Sequence, residues 1–247
     1  MSEARAQVSR TDATLSANSA NTARQSSTDP TKLTRSAAGK CVLIAGATSE
    51  AGIALTRALV ETGARVIATG RSAERLAPLA DSGASVQVAD ATSLSEMTAL
   101  AERIGAVDGV ISLVGGWRGG GGLAGQSDED FSALMPALEA VRATSRAFDS
   151  AVRASDAGRF AIVSSAAVAR PLAGGANYAA VKAATEAWAR AVAHGYAKAA
   201  RDAGEPVRAA SVILRAKALD PGSLADAVVG LWDADAASLN DRVIELS

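Results

Sequence analysis

The chain has 247 residues with 25 Lys plus Arg against 26 Asp plus Glu, a net charge of −1; at roughly 150 residues per domain, that length allows one or two domains. The near-balance of charge offers no basic surface for nucleic acid, and the longest apolar run, Cys41 to Ala45, is far short of the roughly 20 residues that a membrane span needs. One cysteine and one histidine exclude an internal disulfide framework and argue against a His/Cys metal site, so a soluble, cytoplasmic protein without metal is expected.

Residues 1–38 contain thirteen Ser or Thr, no aromatic residue, and only Met1, Val8, Leu15 and Leu33 as apolar side chains larger than Ala. Such a segment cannot bury enough surface to offset its ordering entropy, and a disordered N-terminal tail or an over-extended start is expected. Arg5, Arg10, Arg24 and Arg35 among the hydroxyls resemble a transit peptide, but Glu3, Asp12 and Asp29 argue against one. Residues 39–247 then form one domain, with 20 basic against 23 acidic side chains.

From Lys40 onward, short β-branched runs alternate with Ala-rich stretches of helical period, which is the pattern of a parallel sheet covered by helices. Strands are expected at Cys41–Ala45, Arg65–Ala68, Ser85–Val88, Gly109–Val114, Phe160–Ser164, Val207–Leu214 and Arg242–Leu246. The clearest helices are expected at Gly52–Glu61, Leu94–Ile104, Asp128–Ala154, Tyr178–Ala203 and Ser223–Trp232. The strands read as near-continuous apolar runs, as they do when both sheet faces are covered. The expected fold is a doubly wound, mostly parallel seven-stranded α/β sheet with helices on both faces.

After the first strand the chain reads Gly46-Ala-Thr48-Ser49-Glu50-Ala-Gly52-Ile53 and enters a helix. At the carboxyl end of a central strand, such a turn presents helix-terminal N–H groups to a pyrophosphate; tight strand-to-helix packing explains the glycines equally well. The second strand ends in Gly70-Arg71-Ser72, with no acid to bind both ribose hydroxyls of NAD. Arg71 is suited to a 2′-phosphate, which favours NADP over NAD, unless it is an ordinary solvated loop charge. Asp90 follows the third strand and either accepts from an adenine amino group or caps a turn.

The strand ending in Ser164-Ser165 is followed, thirteen residues after Ser165, by Tyr178, and four residues later by Lys182. Spacing of four puts Tyr178 and Lys182 on one helix face; the alternative is a half-buried aromatic beside a solvated lysine. The glycine turn, the Asp after the third strand, the serine thirteen before Tyr and the Tyr-x-x-x-Lys pattern together resemble the short-chain dehydrogenase/reductase family from about Lys40 to Leu246.

That resemblance implies a Rossmann-type domain that transfers hydride between NADP(H) and a small or medium carbonyl compound or its alcohol. Ser165, Tyr178 and Lys182 would be catalytic. Gly46, Thr48, Ser49, Gly52, Ile53, Arg71, Asp90, Ala91, Gly115, Tyr178 and Lys182 would hold the cofactor. Tyr178 would exchange its phenolic proton with the substrate oxygen. A free phenol, with pKa about 10, needs roughly 4 kcal/mol of differential stabilisation to act near neutrality, and Lys182 would supply positive charge for it. Ser165 would orient the carbonyl. A homodimer or homotetramer through the two long helices is also implied.

The chain departs from the family pattern at several places. Ala45 and Glu50 replace a Thr and a Gly of the glycine turn, and Ser112-Leu113-Val114-Gly115 replaces Asn-Asn-Ala-Gly. The family's helix Asn would fall near Ala137 or Leu138, and the loop after the sixth strand is only a few residues long, leaving the site without its usual lid. The glycine-rich stretch Gly115–Gly122 is either a substitute cover with Trp117 as an apolar wall or a floppy connector. His194 is read as a packing or solvent-facing residue, and Cys41 as an inert buried thiol. The alternative to an enzyme is a dinucleotide-binding protein of the same fold without redox catalysis, acting as a sensor or as a regulatory or structural subunit.

Overall fold

The computed structural model describes residues 36–247. Most of the expected tail lies outside the described residues; within it, Ala37 is buried in the core and Ser36 Oγ donates to the carbonyl of Val229 at 2.7 Å.

Seven strands form one sheet: β1 Cys41–Ala45, β2 Arg65–Gly70, β3 Ser85–Val88, β4 Gly109–Ser112, β5 Gly158–Ser165, β6 Ala209–Ala216 and β7 Arg242–Leu246. Every pairing is parallel, in the order β3-β2-β1-β4-β5-β6-β7. The chain crosses over after β3, so the order reverses between β1 and β4 and opens a crevice at their carboxyl ends. The helices are α1 Glu50–Glu61, α2 Ala73–Asp81, α3 Leu94–Ile104, α4 Asp128–Leu134, α5 Pro136–Ala154, α6 Ala176–Ala203, α7 Pro221–Val229 and the single turn α8 Ala236–Leu239.

Alternation along the strands sends side chains to two cores. Val42 and Ile44 of β1 meet Leu55 and Leu59 of α1 and Leu224 and Val228 of α7. Leu43, on the opposite face, joins Met97 of α3, Val141 and Phe148 of α5 and Tyr196 of α6. This double coverage explains why central β1 is apolar and buried along its whole length, while the edge strands β3 and β7 carry Gln87 and Glu245 among their apolar residues.

β2, β5, α1, α6 and α7 differ from the expected bounds by one to three residues at an end, and three further differences have a clear physical reason. The helix expected over Asp128–Ala154 is two helices, because Pro136 has no N–H to continue the ladder and instead starts α5. β4 stops at Ser112, since Leu113 and Val114 fold against the β1 turn, where a Cβ on Gly46 would lie 3.0 Å from Val114 N. β6 is displaced two residues toward the carboxyl end and runs to Ala216 beside Ser165.

Candidate active site

At the end of β1 the backbone turns sharply: Gly46 has φ +85°, a conformation that favours glycine. Gly52 is needed for a different reason, since a Cβ there would lie 2.5 Å from the Ala47 carbonyl oxygen. Ser49 caps α1, its hydroxyl accepting from Gly52 N at 3.1 Å, and its carbonyl accepts from Ile53 N at 2.8 Å. Two donors remain: among the described residues, no protein group accepts from the N–H of Glu50 or Ala51. Orphan donors at a helix start are suited to an anion.

A cavity of about 410 Å³ beside this turn is lined by Gly46, Thr48, Ser49, Arg71, Arg75, Asp90, Ala91 and Gly115, among others. A second, of about 330 Å³, is lined by Ser49, Glu50, Leu113, Gly115, Ser165, Tyr178, Lys182 and Lys217, among others. Ser49, Leu113 and Gly115 belong to both walls, so the two are halves of one cleft along the carboxyl edge of the sheet. A larger cavity, about 510 Å³, lies between the carboxyl ends of α5 and α6 and includes none of the candidate residues.

The cleft brings together Gly46, Thr48, Ser49, Arg71, Asp90, Ala91, Gly115, Ser165, Tyr178 and Lys182. Gly52 and Ile53 stand behind its wall, their N–H groups taken by Ser49. Asp90 performs the turn-capping role, with Oδ1 accepting from Thr92 N at 2.9 Å and Thr92 Oγ1 at 2.8 Å, while also facing the cleft. Arg71 is exposed, and among the described residues no carboxylate pairs with it or with Arg75. Arg75 escaped the sequence reading; its signal was the spacing of four from Arg71, and its Nη2 donates to the Thr48 carbonyl at 3.0 Å. The donor set therefore fits a dinucleotide with an extra phosphate: two unpaired cations at one end, orphan N–H groups in the middle and a Tyr/Lys pair at the other end.

Lys182 is 7% exposed. Its Nζ donates to the Val163 carbonyl at 2.8 Å and lies 5.9 Å from the centre of the Tyr178 ring. Burial pushes its pKa down to about 8, opposed by the Glu186 carboxylate. Tyr178 is half-buried and packs against Leu134, Ala137 and Val181. Ser165 is buried, at the end of β5, and its hydroxyl accepts from Ala167 N at 3.2 Å. No side-chain cation other than Lys182 is buried in this wall, although Lys217 faces the same cavity from the connection after β6.

The glycine-rich stretch is a fastened loop rather than a loose connector. Gly120 N–H donates to the Gly174 carbonyl at 2.7 Å, and Gln126 Nε2 donates to the carbonyls of Gly120 and Gly174 at 3.0 and 3.1 Å. Gln126 Oε1 accepts from Asn177 N at 3.1 Å, so the clasp ends beside Tyr178. Trp117, the apolar wall in one of the two readings of this stretch, is 63% exposed and is not among the residues lining the cleft. His194 is exposed. Cys41 is buried, and burial raises its thiol pKa, in keeping with an inert thiol. No described helix is long and apolar enough to cross a membrane, and among the described residues no cluster of side chains suits a metal ion.

The strand order and the position of the cleft define a doubly wound α/β protein with its site at the topological switch point. Residues 40–205 match the family model for short chain dehydrogenases, and the chain belongs to that family of oxidoreductases. No curated protein matches the sequence significantly. Among solved structures, it is similar to a short chain dehydrogenase from Salmonella enterica serovar Typhi, with 19% identity, a TM-score of 0.74, and coverage of 86% of this chain and 97% of that one. An oxidoreductase from E. coli gives 19% identity, a TM-score of 0.75, and coverage of 86% and 96%. A Shigella flexneri 2a protein solved in complex with NADP gives 20% identity, a TM-score of 0.74, and coverage of 85% and 98%. At such identity these likenesses speak for the fold.

Proposed function

We propose that this protein is an NADP(H)-dependent oxidoreductase that interconverts a small or medium carbonyl compound and its alcohol, with Tyr178 as the acid/base. The observation that supports this most is the single cleft running from Arg71 and Arg75 to Ser165, Tyr178 and Lys182. Arg71 and Arg75 hold the 2′-phosphate, and Thr48, Ser49 and the free N–H groups of Glu50 and Ala51 hold the pyrophosphate. Asp90 and Ala91 border the adenine, and Gly52 and Ile53 contribute through the packing of the turn. Bound here, the nicotinamide supplies or accepts the hydride.

Tyr178 gives its proton to the substrate oxygen in reduction and removes it in oxidation. Ser165 donates to the same oxygen and fixes its orientation. Lys182, with a pKa of about 8, is mostly cationic at pH 7, and its charge favours the phenolate form of its neighbour. Its loss of charge as pH rises through about 8 weakens that support, so reduction slows on the alkaline side. A cytoplasmic setting and a homodimer or homotetramer through α5 and α6 are carried over from the family resemblance.

A non-catalytic dinucleotide binder is the competing reading, favoured by Glu50 in the cleft wall and by the absence of an Asn near Ala137 or Leu138, where the family resemblance would put one. NADPH oxidation against a panel of aldehydes and ketones separates the two. Turnover that falls about 10²- to 10⁴-fold in Tyr178→Phe supports the enzyme; NADPH binding with no turnover, or turnover indifferent to Tyr178, overturns it.

A further inference from the structure

Behind the cleft lies a connected polar cluster that the proposed chemistry leaves unused. Strand register puts Ser164 of β5 beside Arg215 of β6, and Arg215 beside Glu245 of β7; residues paired in this way point to the same sheet face. Over that row lies α6, whose Glu186 is 4% exposed. Glu186 Oε1 accepts from Ser164 Oγ at 2.7 Å and from Arg215 Nε at 3.1 Å, and Oε2 accepts from Arg215 Nη2 at 2.7 Å. Arg215 Nη1 donates to Glu245 at 3.1 Å. A buried ion pair of this kind adds little stability over well-packed apolar residues of similar volume. Its role is better sought in what it touches.

Glu186 follows Lys182 by four residues on α6, so the two share a helix face. Lys182 Nζ donates to the Val163 carbonyl, and Ser164 Oγ donates to Glu186. Two consecutive residues of β5 are thereby tied to two consecutive turns of α6, and Ser165 is the next residue along the strand. We propose that the Glu186–Arg215 pair is a positioning device for the active site: it locks the end of β5 to α6 and sets the electrostatic field in which Lys182 works. The inference rests on the proposed function above.

The charges around Lys182 come from several elements. Glu186 shares its helix, and Arg190, also on α6, lies 4.0 Å from Glu186. Arg215 and Glu245 approach from β6 and β7, while Glu50 at the start of α1 and Lys217 after β6 line the same cavity. The loop after β4 and helix α5 present uncharged Gly115 and Ala137. Glu186 is thus the anion that offsets the burial of Lys182, and Arg215 is the cation bonded to both Glu186 carboxylate oxygens.

The test reads the Lys182 side chain by ¹³C NMR titration of the free protein, assigned by its loss in Lys182→Met, alongside the pH profile of kcat/KM. Removing an anion disfavours a neighbouring cation, so Glu186→Gln moves the Lys182 midpoint and the alkaline limb down by about one pH unit. Removing a cation does the reverse, so Arg215→Met moves both up by a similar amount. Arg215→Lys keeps the charge and restores the wild-type midpoint. Should Glu186→Gln fail to fold, the upward shift in Arg215→Met carries the test. Both variants losing activity with an unmoved Lys182 midpoint would mean a merely structural pair and overturn the inference. Midpoints that shift as stated in a protein without any turnover would uphold the field effect and defeat the oxidoreductase reading instead.

Discussion

The two ends of the sheet treat polar groups in opposite ways. At the amino end, Arg159 is buried, yet its guanidinium donates to the carbonyls of Leu231 and Ala234 at 2.8 Å each, and to those of Gly158 and Arg208 at 2.8 and 3.4 Å. Asp108 accepts from Cys41 N at 2.8 Å and from Ser155 Oγ at 2.6 Å. Trp232 donates to the Ala157 carbonyl at 3.0 Å and lies so close to Gly109 that a Cβ there would meet its ring at 2.8 Å. The Tyr196 hydroxyl, between α5 and α6, is the exception there.

At the carboxyl end, polar groups are left open. Among the described residues, the N–H groups of Glu50 and Ala51 have no protein acceptor, Ser112 Oγ is buried without a partner, and Lys182 is desolvated with one carbonyl to bond. A buried unsatisfied group such as Ser112 Oγ lowers stability by an amount on the order of 1 kcal/mol or more, whereas Glu50, at the exposed start of α1, leaves its N–H open to solvent or a ligand. The difference teaches where this fold puts its strain: the amino end closes its hydrogen bonds and holds the sheet, whereas the carboxyl end keeps donors and a cation ready for a ligand.

Damage to each end therefore has a different signature. The largest stability effect is expected at the amino end: Arg159→Met strips donors from several carbonyls and should lower unfolding free energy by about 3 kcal/mol, with cofactor affinity of the folded protein unchanged in calorimetry. Next comes the cleft, where Arg71→Ala with Arg75→Ala should weaken NADPH binding by about 10- to 100-fold, leave NADH affinity nearly constant and shift the melting temperature little. NADH weakened equally would place the 2′-phosphate elsewhere. Smallest is the clasp: Gln126→Ala should raise the KM for a carbonyl substrate by a few fold and change stability by about 1 kcal/mol or less.

Much of this organisation was legible in the sequence. β1, β3 and β7 fall where the sequence predicts: central β1 is buried throughout and reads as an unbroken apolar run, whereas the edge strands β3 and β7 are only partly buried and are marked by short β-branched runs. Ser165, Tyr178 and Lys182 meet in one cleft because each position follows from local spacing: a strand end, and a helix face of period four. Groups that depend on tertiary register were not readable. Glu186 and Arg215 are 29 residues apart, and their contact needs α6 to lie over the β5–β6 pairing by a particular offset. Likewise, the clasp between Gln126 and the Gly174 turn joins segments 48 residues apart. The break at Pro136 was readable in principle, since proline cannot extend a helical ladder, but the surrounding periodicity hid it.

The trade of stability for reactivity at the carboxyl end is tested most directly by Lys182→Met. Because burial lowers the folded-state pKa of Lys182 from 10.5 to about 8, the unfolded chain binds more protons between those values, and wild-type stability rises with pH there. Below pH 8 the burial opposes folding by up to about 3 kcal/mol. Denaturant unfolding of both proteins from pH 7 to 10.5 should show Lys182→Met more stable at pH 7, devoid of carbonyl reduction, with the gap closing as pH rises from about 8 to 10.5. A variant less stable than wild type at pH 7, or a gap that stays constant with pH, would contradict the account.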